Sequence, residues 1–384
     1  EDIARMAIDN NKSLLELASN VRADLPVDAL IEQLRHSMGS SARSRGAIVV
    51  RTDCLQWMCL LLSGSTDSLL RMKMMDNFGN AIFETLKGND DEVVAAALDV
   101  LALIMEGRRE NDDNFRDEEG RDFFDIVAHR LLELFKQQTL EEKGWLVIRH
   151  LCGHLDVRRL YITVARAIQE AAAKNEPGEL EFTQQLVQTF SWILFTAVET
   201  KKLRDELLEP VPISGLVAGS MSGVPPDDGQ ERPLFFELLQ PWFHNPVSAL
   251  ALCLWAQQYI LATELVAQIA AFEPTLDLLK QLDQLVHLLE SPIFSRLRLQ
   301  LLEPRKYPAL LKCLLGLAML LPQAGAFNIL RQRVQVVQSG LLLEAQCPDP
   351  LAGACAEHSL SVSDADMDHL LERFDKITSA LSHA

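Results

Sequence analysis

Along most of the chain, apolar residues return every three or four positions, the spacing that lines one face of a helix. In DEVVAAALDVLALIME, Val93, Val94, Ala97, Leu98, Leu101, Ile104 and Met105 form one such stripe. Asp90 and Asp91 stand ahead of it, where a helix start favours negative charge. The same period predicts helices near 14–20, 27–37, 47–62, 68–87, 122–137, 140–152, 156–173, 180–199 and 200–208. It continues at 233–241, 246–257, 261–271, 274–289, 292–302, 306–321, 323–337 and 364–384. No stretch alternates strictly enough to predict a sheet.

Prolines punctuate this series. Asn245-Pro246, Glu273-Pro274 and Ser291-Pro292 each read as an N-cap followed by a proline at the first helical position. There the missing N–H costs nothing, because it has no helical partner anyway. Short helices joined tightly in this way bury their stripes by stacking pair on pair. The expected fold is all-α, a HEAT-like α-solenoid of stacked helical hairpins.

Three stretches break the period: the charged 106–121, the Pro/Gly/Ser-rich 210–233 and the irregular 339–363. They divide the chain into a helical array over 1–209, a linker over 210–233 and a second array over 234–338. An irregular segment over 339–363 and an amphipathic tail helix over 364–384 follow. In that tail, Met367, Leu370, Leu371, Phe374, Ile377 and Leu381 share a stripe that must be buried on this chain or on a partner.

Composition narrows the function classes. A net charge of −18 over 384 residues opposes nucleic acid and anionic lipid as principal ligands. The basic groups Arg43, Arg45 and Arg51, and Arg296, Arg298, Arg305 and Lys306, read as solvated helix faces. Seven cysteines without a C-x-x-C pair, three of them inside apolar runs, fit a reducing, cytosolic setting. The longest apolar runs fall far short of a membrane span, so no transmembrane insertion is expected. A first residue of Glu1 rather than Met reads as the start of a fragment.

The candidate chemistry is sparse. In HLCGH, His150 and His154 stand four apart with Cys152 between them, a spacing that zinc ligands use on one helix face. Gly153, however, reads as a helix end, which takes His154 off that face. No adjacent glutamate offers a base, and no fourth ligand lies nearby. A generic helical-repeat adaptor with other protein partners is one alternative reading and a metal-dependent enzyme built on His150, Cys152 and His154 the weaker one, and the expected metal and catalytic sets are empty. WFHNP supplies no nucleophile to accompany His244. It reads instead as a cap, with Asn245 starting a helix and Trp242 and Phe243 packed across the junction.

LFFELLQPWFHNPVSALALCLWAQQY, with LDQLVHLLESPIFSRLRLQLLEPRKYPALLKCLLGLAMLLPQAGAFNILRQRVQVV, resembles the C-terminal region of the vacuole-morphology HEAT-repeat scaffold family. The resemblance rests on Trp242, His244-Asn245-Pro246, Leu252-Cys253, Gln257, Tyr259, Glu290 to Phe294, Leu297 to Leu302 and Met319 to Gln323. Weaker similarity runs through much of 47–209, and the stretches 106–121, 210–233 and the tail depart from the pattern. The resemblance implies a non-enzymatic scaffold without a cofactor that self-associates through its C-terminal half. Its implied partners are a PIKfyve-type lipid kinase and the opposing Sac-domain phosphatase of phosphatidylinositol 3,5-bisphosphate metabolism. They would place it peripherally on endosomal or vacuolar membranes. The interface candidates are Trp242, Phe243, His244, Asn245, Pro246, Ile293, Phe294, Leu370, Leu371, Phe374 and Ile377.

Overall fold

Every regular element among the described residues is helical. The structure, a computed structural model, describes residues 2–20, 26–38, 45–63, 68–86, 88, 90–106, 123–137, 140–174, 178–209, 233–323, 325–346 and 364–382. Most of the 106–121, 210–233 and 339–363 stretches lies outside them. The chain separates into two units, Glu1–Thr163 and Val164–Ala384. That division falls inside a helix rather than at 210–233.

The first unit holds α1 (Asp2–Asn20), α2 (Val27–Met38), α3 (Arg45–Ser63) and α4 (Ser68–Leu86). After them come α5 (Asp91–Glu106), α6 (Phe123–Gln137), α7 (Leu140–His154) and the start of α8 (Val157–Lys174). Helices pack on the next in sequence and on the next but one: α1 on α3, α2 on α4, α3 on α5, α5 on α7. That is the contact pattern of stacked hairpins, each of which cannot bury its apolar face alone. The centre is α5, whose predicted stripe is buried from Val93 to Met105. Asp90 starts this helix, its Oδ1 accepting the N–H of Glu92 at 3.2 Å.

The second unit opens, beyond α8, with α9 (Glu179–Thr196) and α10 (Lys201–Glu206). The hairpin α11 (Leu234–Trp242) and α12 (Pro246–Trp255) follows, then α13 (Tyr259–Ile269) and α14 (Leu276–Glu290). A 3-10 turn (Pro292–Phe294) and α15 (Ser295–Gln300) lead to α16 (Pro308–Leu320), α17 (Gly325–Gln346) and the tail helix α18 (Asp364–Ser382). Contacts again pass over intervening helices, with α12 on α14, and, across the short α15, α13 on α16 and α14 on α17. Because α9 packs on α12, the helices on either side of 210–233 belong to one unit.

The structure corrects several local expectations. Thr275, not Glu273, caps α14: its Oγ1 accepts the Leu278 N–H at 3.2 Å. Ser291 opens only the short 3-10 turn, and its hydroxyl donates backward to the Leu288 carbonyl at 2.6 Å. The helix expected to end at Val337 runs on to Gln346, so the irregular segment begins later than 339. The helix expected over 292–302 is split into the turn and α15.

Candidate partner-binding region

The α11–α12 junction is built around one buried amide. Asn245 has extended backbone, and its Oδ1 accepts the Ser248 N–H at 2.9 Å. Its Nδ2 donates to Gln281 Oε1 on α14 at 3.0 Å, so the same side chain starts α12 and ties it to the next hairpin. Pro246 occupies the first helical position, as its fixed φ favours. Trp242 and Phe243 on the approach are fully buried; burying an aromatic of this size contributes about 2–3 kcal/mol. His244 is buried beside them, and desolvation lowers its pKa to about 4, so the ring is neutral at pH 7. Its Nδ1 has no hydrogen-bond partner among the described residues. Its neutral ring, packed beside Trp242 and Phe243, reads as part of the core.

At the far end of α12, Gln257 takes a positive φ of 60°. The Gln258 N–H reaches back to the Cys253 carbonyl at 2.9 Å, the closing bond of a helix end usually made by glycine. Gln257 is held there by its side chain, whose Oε1 accepts from Gln300 Nε2 at 2.7 Å. The Tyr259 hydroxyl donates to the other end of the Gln300 amide. Phe195, Trp255 and Phe294 pack as a trio, with centroids 5.1–5.8 Å apart, that joins α9, α12 and the 3-10 turn.

Two arginines close helix ends in the same manner. Arg204 Nη1 donates to the carbonyls of Leu194 and Ala197 at 2.6 and 2.7 Å and to the Thr200 hydroxyl at 2.7 Å. Arg298 Nη1 donates to the Leu289 carbonyl and, at 2.6 Å, to that of Ser291. Each satisfies carbonyls that the helix leaves unpaired, at the end where a cation is favoured. The expectation of a solvated face at Arg298 is therefore corrected.

The tail helix α18 packs on α13 of its own unit. Fully buried Phe374 meets Phe243 edge-on at 5.3 Å and stacks on Phe272 at 6.2 Å. Leu370 is buried and Leu371 and Ile377 are half-buried, while the side chain of Leu381 lies outside the described residues. Phe294 is buried and Ile293 half-buried. Most interface candidates are thus buried within the chain. Other apolar side chains of the second unit are open to water, Leu299, Leu302, Met319 and Val336 among them, exposed by 64, 72, 86 and 73%. Residue-by-residue reading missed these four. For Met319 the signal is that α16, PALLKCLLGLAML, carries more apolar residues than one face can bury.

A cavity of about 40 Å³ between α9, α12 and α14 is lined by Ser191, Trp192, Phe195, Ser248, Gln281 and Leu285 among others. It has room for water but not for a substrate. In the first unit the expectation about Gly153 fails. It has open space around it and does not end α7, which continues to His154. Both histidines therefore share a face, and Asp99 of α5 joins them: His150 Nε2 lies 2.8 Å and His154 Nε2 3.5 Å from its Oδ1. Cys152 is buried in the core and is not part of this group. Among the described residues it is the one cluster of three metal-ligating side chains.

Stacked hairpins with capped ends and an exposed apolar surface define a helical-repeat protein of the α-solenoid class. Residues 137–337 match a family model described as "Vacuolar protein 14 C-terminal Fig4p binding". The chain is 31% identical over 342 residues to the Arabidopsis thaliana "Protein VAC14 homolog", covering 88% of this chain and 40% of that protein. It is 32% identical over 289 residues to the Schizosaccharomyces pombe "Protein VAC14 homolog", covering 74% and 31%. To the Saccharomyces cerevisiae "Vacuole morphology and inheritance protein 14" it is 29% identical over 283 residues, covering 73% and 28%. The chain belongs to the VAC14 family. It spans less than half the length of these relatives. No solved structure matches it.

Proposed function

We propose that this chain is a non-enzymatic scaffold segment that docks a Sac-domain phosphoinositide phosphatase on its second unit. The reading rests on one coincidence. The region matched by a model whose description names Fig4p binding, 137–337, also carries the exposed Leu299, Leu302, Met319 and Val336. Apolar side chains open to water in this way are what a protein partner covers. The scaffold also engages a PIKfyve-type lipid kinase and further copies of itself. Each docked enzyme then meets the other at high effective concentration, so that synthesis and removal of phosphatidylinositol 3,5-bisphosphate are governed together.

Placement on endosomal or vacuolar membranes comes through the partners. The net charge of −18 disfavours anionic lipid, and no described helix is long and apolar enough to cross a membrane. The interface candidates from Trp242 to Pro246, with Phe294, Leu370 and Phe374, serve from beneath by fixing the helices that present the surface. Ile293, Leu371 and Ile377 are the candidates that retain exposure for a direct contact.

The test is co-purification of the phosphatase with the chain, comparing wild type with Met319→Asp and Val336→Asp. These exposed positions tolerate charge without unfolding, so helicity should hold while capture of the phosphatase falls. Failure of wild type to capture the phosphatase, or undiminished capture by both variants, refutes the docking surface. Light scattering across a concentration series tests self-association separately, and a concentration-independent monomer refutes it.

A further inference from the structure

We infer that Asp99, His150 and His154 form a binding site for a divalent transition ion of the zinc type. The first unit brings the three together from two helices, independently of the partner surface on the second. His150 and His154 stand one turn apart on α7, and both present Nε2 toward Asp99 Oδ1 on the adjoining α5. All three ligand atoms lie within 4.8 Å of one another. Two ligands held about 2.0–2.1 Å from a tetrahedral ion stand about 3.4 Å apart. The observed separations to Asp99, 2.8 and 3.5 Å, bracket that spacing. The two imidazole rings are tilted by 34° with centroids 4.8 Å apart.

The donor set selects the ion. Two imidazoles and one carboxylate suit zinc, nickel or copper, whereas magnesium and calcium require oxygen ligands. Asp99 supplies the one negative charge of the group, which a bound dication more than neutralises. The side chains are 26% (His150), 44% (Asp99) and 50% (His154) exposed. Water can therefore complete the coordination shell and serve each Nδ1–H, the outer contact that ligating histidines require. The ion would replace hydrogen bonds between α5 and α7 by a stronger link. In this role it is a staple between consecutive hairpins, with no reaction assigned to it.

The experiment is isothermal titration of zinc into the chelator-treated, dialysed chain, with thermal unfolding followed in parallel by circular dichroism. One saturable ion per chain is expected, together with a raised unfolding midpoint. His150→Ala and His154→Ala should each weaken binding by on the order of tenfold or more, since changes even to outer-shell partners cost about 10–100-fold. His287→Ala, which removes the exposed His287–Asp283 pair on α14, should change neither readout. His154→Gln, at the half-exposed position, replaces the alanine variant if that one fails to fold. Binding that survives loss of both histidines, or no saturable binding by the wild-type chain, overturns the site.

Discussion

Asn245 lets the scaffold's local architecture be tested at one position. Replacing it by alanine removes the acceptor for the Ser248 N–H, a buried donor with no water to turn to. Loss of an N-cap costs about 0.5–2 kcal/mol, and stranding a buried donor costs about 1–3 kcal/mol. These describe the same event, so the expected loss lies near their overlap, about 2 kcal/mol. The missing Nδ2 adds less, because Gln281 is half-buried and its amide can find water. Asn245→Ser keeps a side-chain oxygen at the cap but cannot reach Gln281, so it should lose about 1 kcal/mol, the worth of one hydrogen bond.

Hydrogen exchange read by mass spectrometry over α12 is the fitting assay, because a chain of two units need not unfold in one step. The expected order of protection in 246–255 is wild type, then serine, then alanine. A double-mutant cycle with Gln281→Ala should give a coupling of about 0.5–1.5 kcal/mol for the cross-hairpin bond. If alanine and serine both leave protection within about 0.5 kcal/mol of wild type, the size expected of an ordinary surface change, the junction is not set by Asn245 and the reasoning fails.

Three further outcomes are expected. A Cβ added at Gly316 would lie 2.9 Å from Val266 Cγ1. Gly316→Ala should therefore destabilise by about 1–2 kcal/mol, overpacking of about 1–3 kcal/mol offset in part by a better helix former; Val266→Ala in the same chain should relieve it, and an additive denaturation result would remove the close approach as the cause. Phe374→Ala should free the tail, because its loss costs about 3–5 kcal/mol. Exchange should then rise through 364–382 and α13 but not in the first unit, and unchanged protection of α18 would mean that the tail is held by something else. The lowered pKa of His244 makes stability pH-dependent: above about 6.5 the ring is neutral folded or unfolded, so stability is flat. Below that the unfolded chain takes up a proton that the folded one refuses until about 4. The accumulated loss is on the order of 3 kcal/mol, and His244→Gln should flatten the decline between those pH values in urea titrations; an undiminished slope would place it on other groups.

Much of this architecture was legible because it is local. The stripe of α5 and the acceptor-plus-proline start of α12 follow from residues within one or two turns, and both stand as expected. Errors arose where neighbouring residues offered competing local readings, or where a partner lies elsewhere. Thr275 displaces Glu273 as a cap because a β-hydroxyl reaches the Leu278 N–H at 3.2 Å. Arg298 looked like a solvated charge because nothing in the sequence shows which carbonyls a folded helix leaves open nine residues back. Gly153 looked like a stop, yet in open space a glycine is merely a poor helix former, and α7 runs through it. Asp99 lies 51 residues from His150, a pairing that spacing within HLCGH could never reveal. Met319 was hidden differently: α16 is so apolar that its pattern cannot say which of its residues face outward.

The proposed scaffold role explains why so much side-chain chemistry is spent on junctions. A surface that positions two enzymes must keep its shape when neither is bound, because ordering it on binding would subtract from affinity. Helix ends are the weak points of a stacked array, since each leaves carbonyls or N–H groups to be satisfied. In the second unit Asn245, Thr275, Arg204 and Arg298 meet that need with side chains, Gln257 lets the backbone do so through its positive φ, and the Phe195–Trp255–Phe294 trio locks three elements at one place. The exposed Met319 and Val336 lie on α16 and α17, helices packed against the elements so fixed. It follows that junction and surface variants should fail differently. Charge at Met319 should remove a partner while the array keeps its protection. Loss of the Asn245 cap should loosen the array first and weaken the partner only as a consequence, a sequence of events that exchange and capture measured on the same samples would separate.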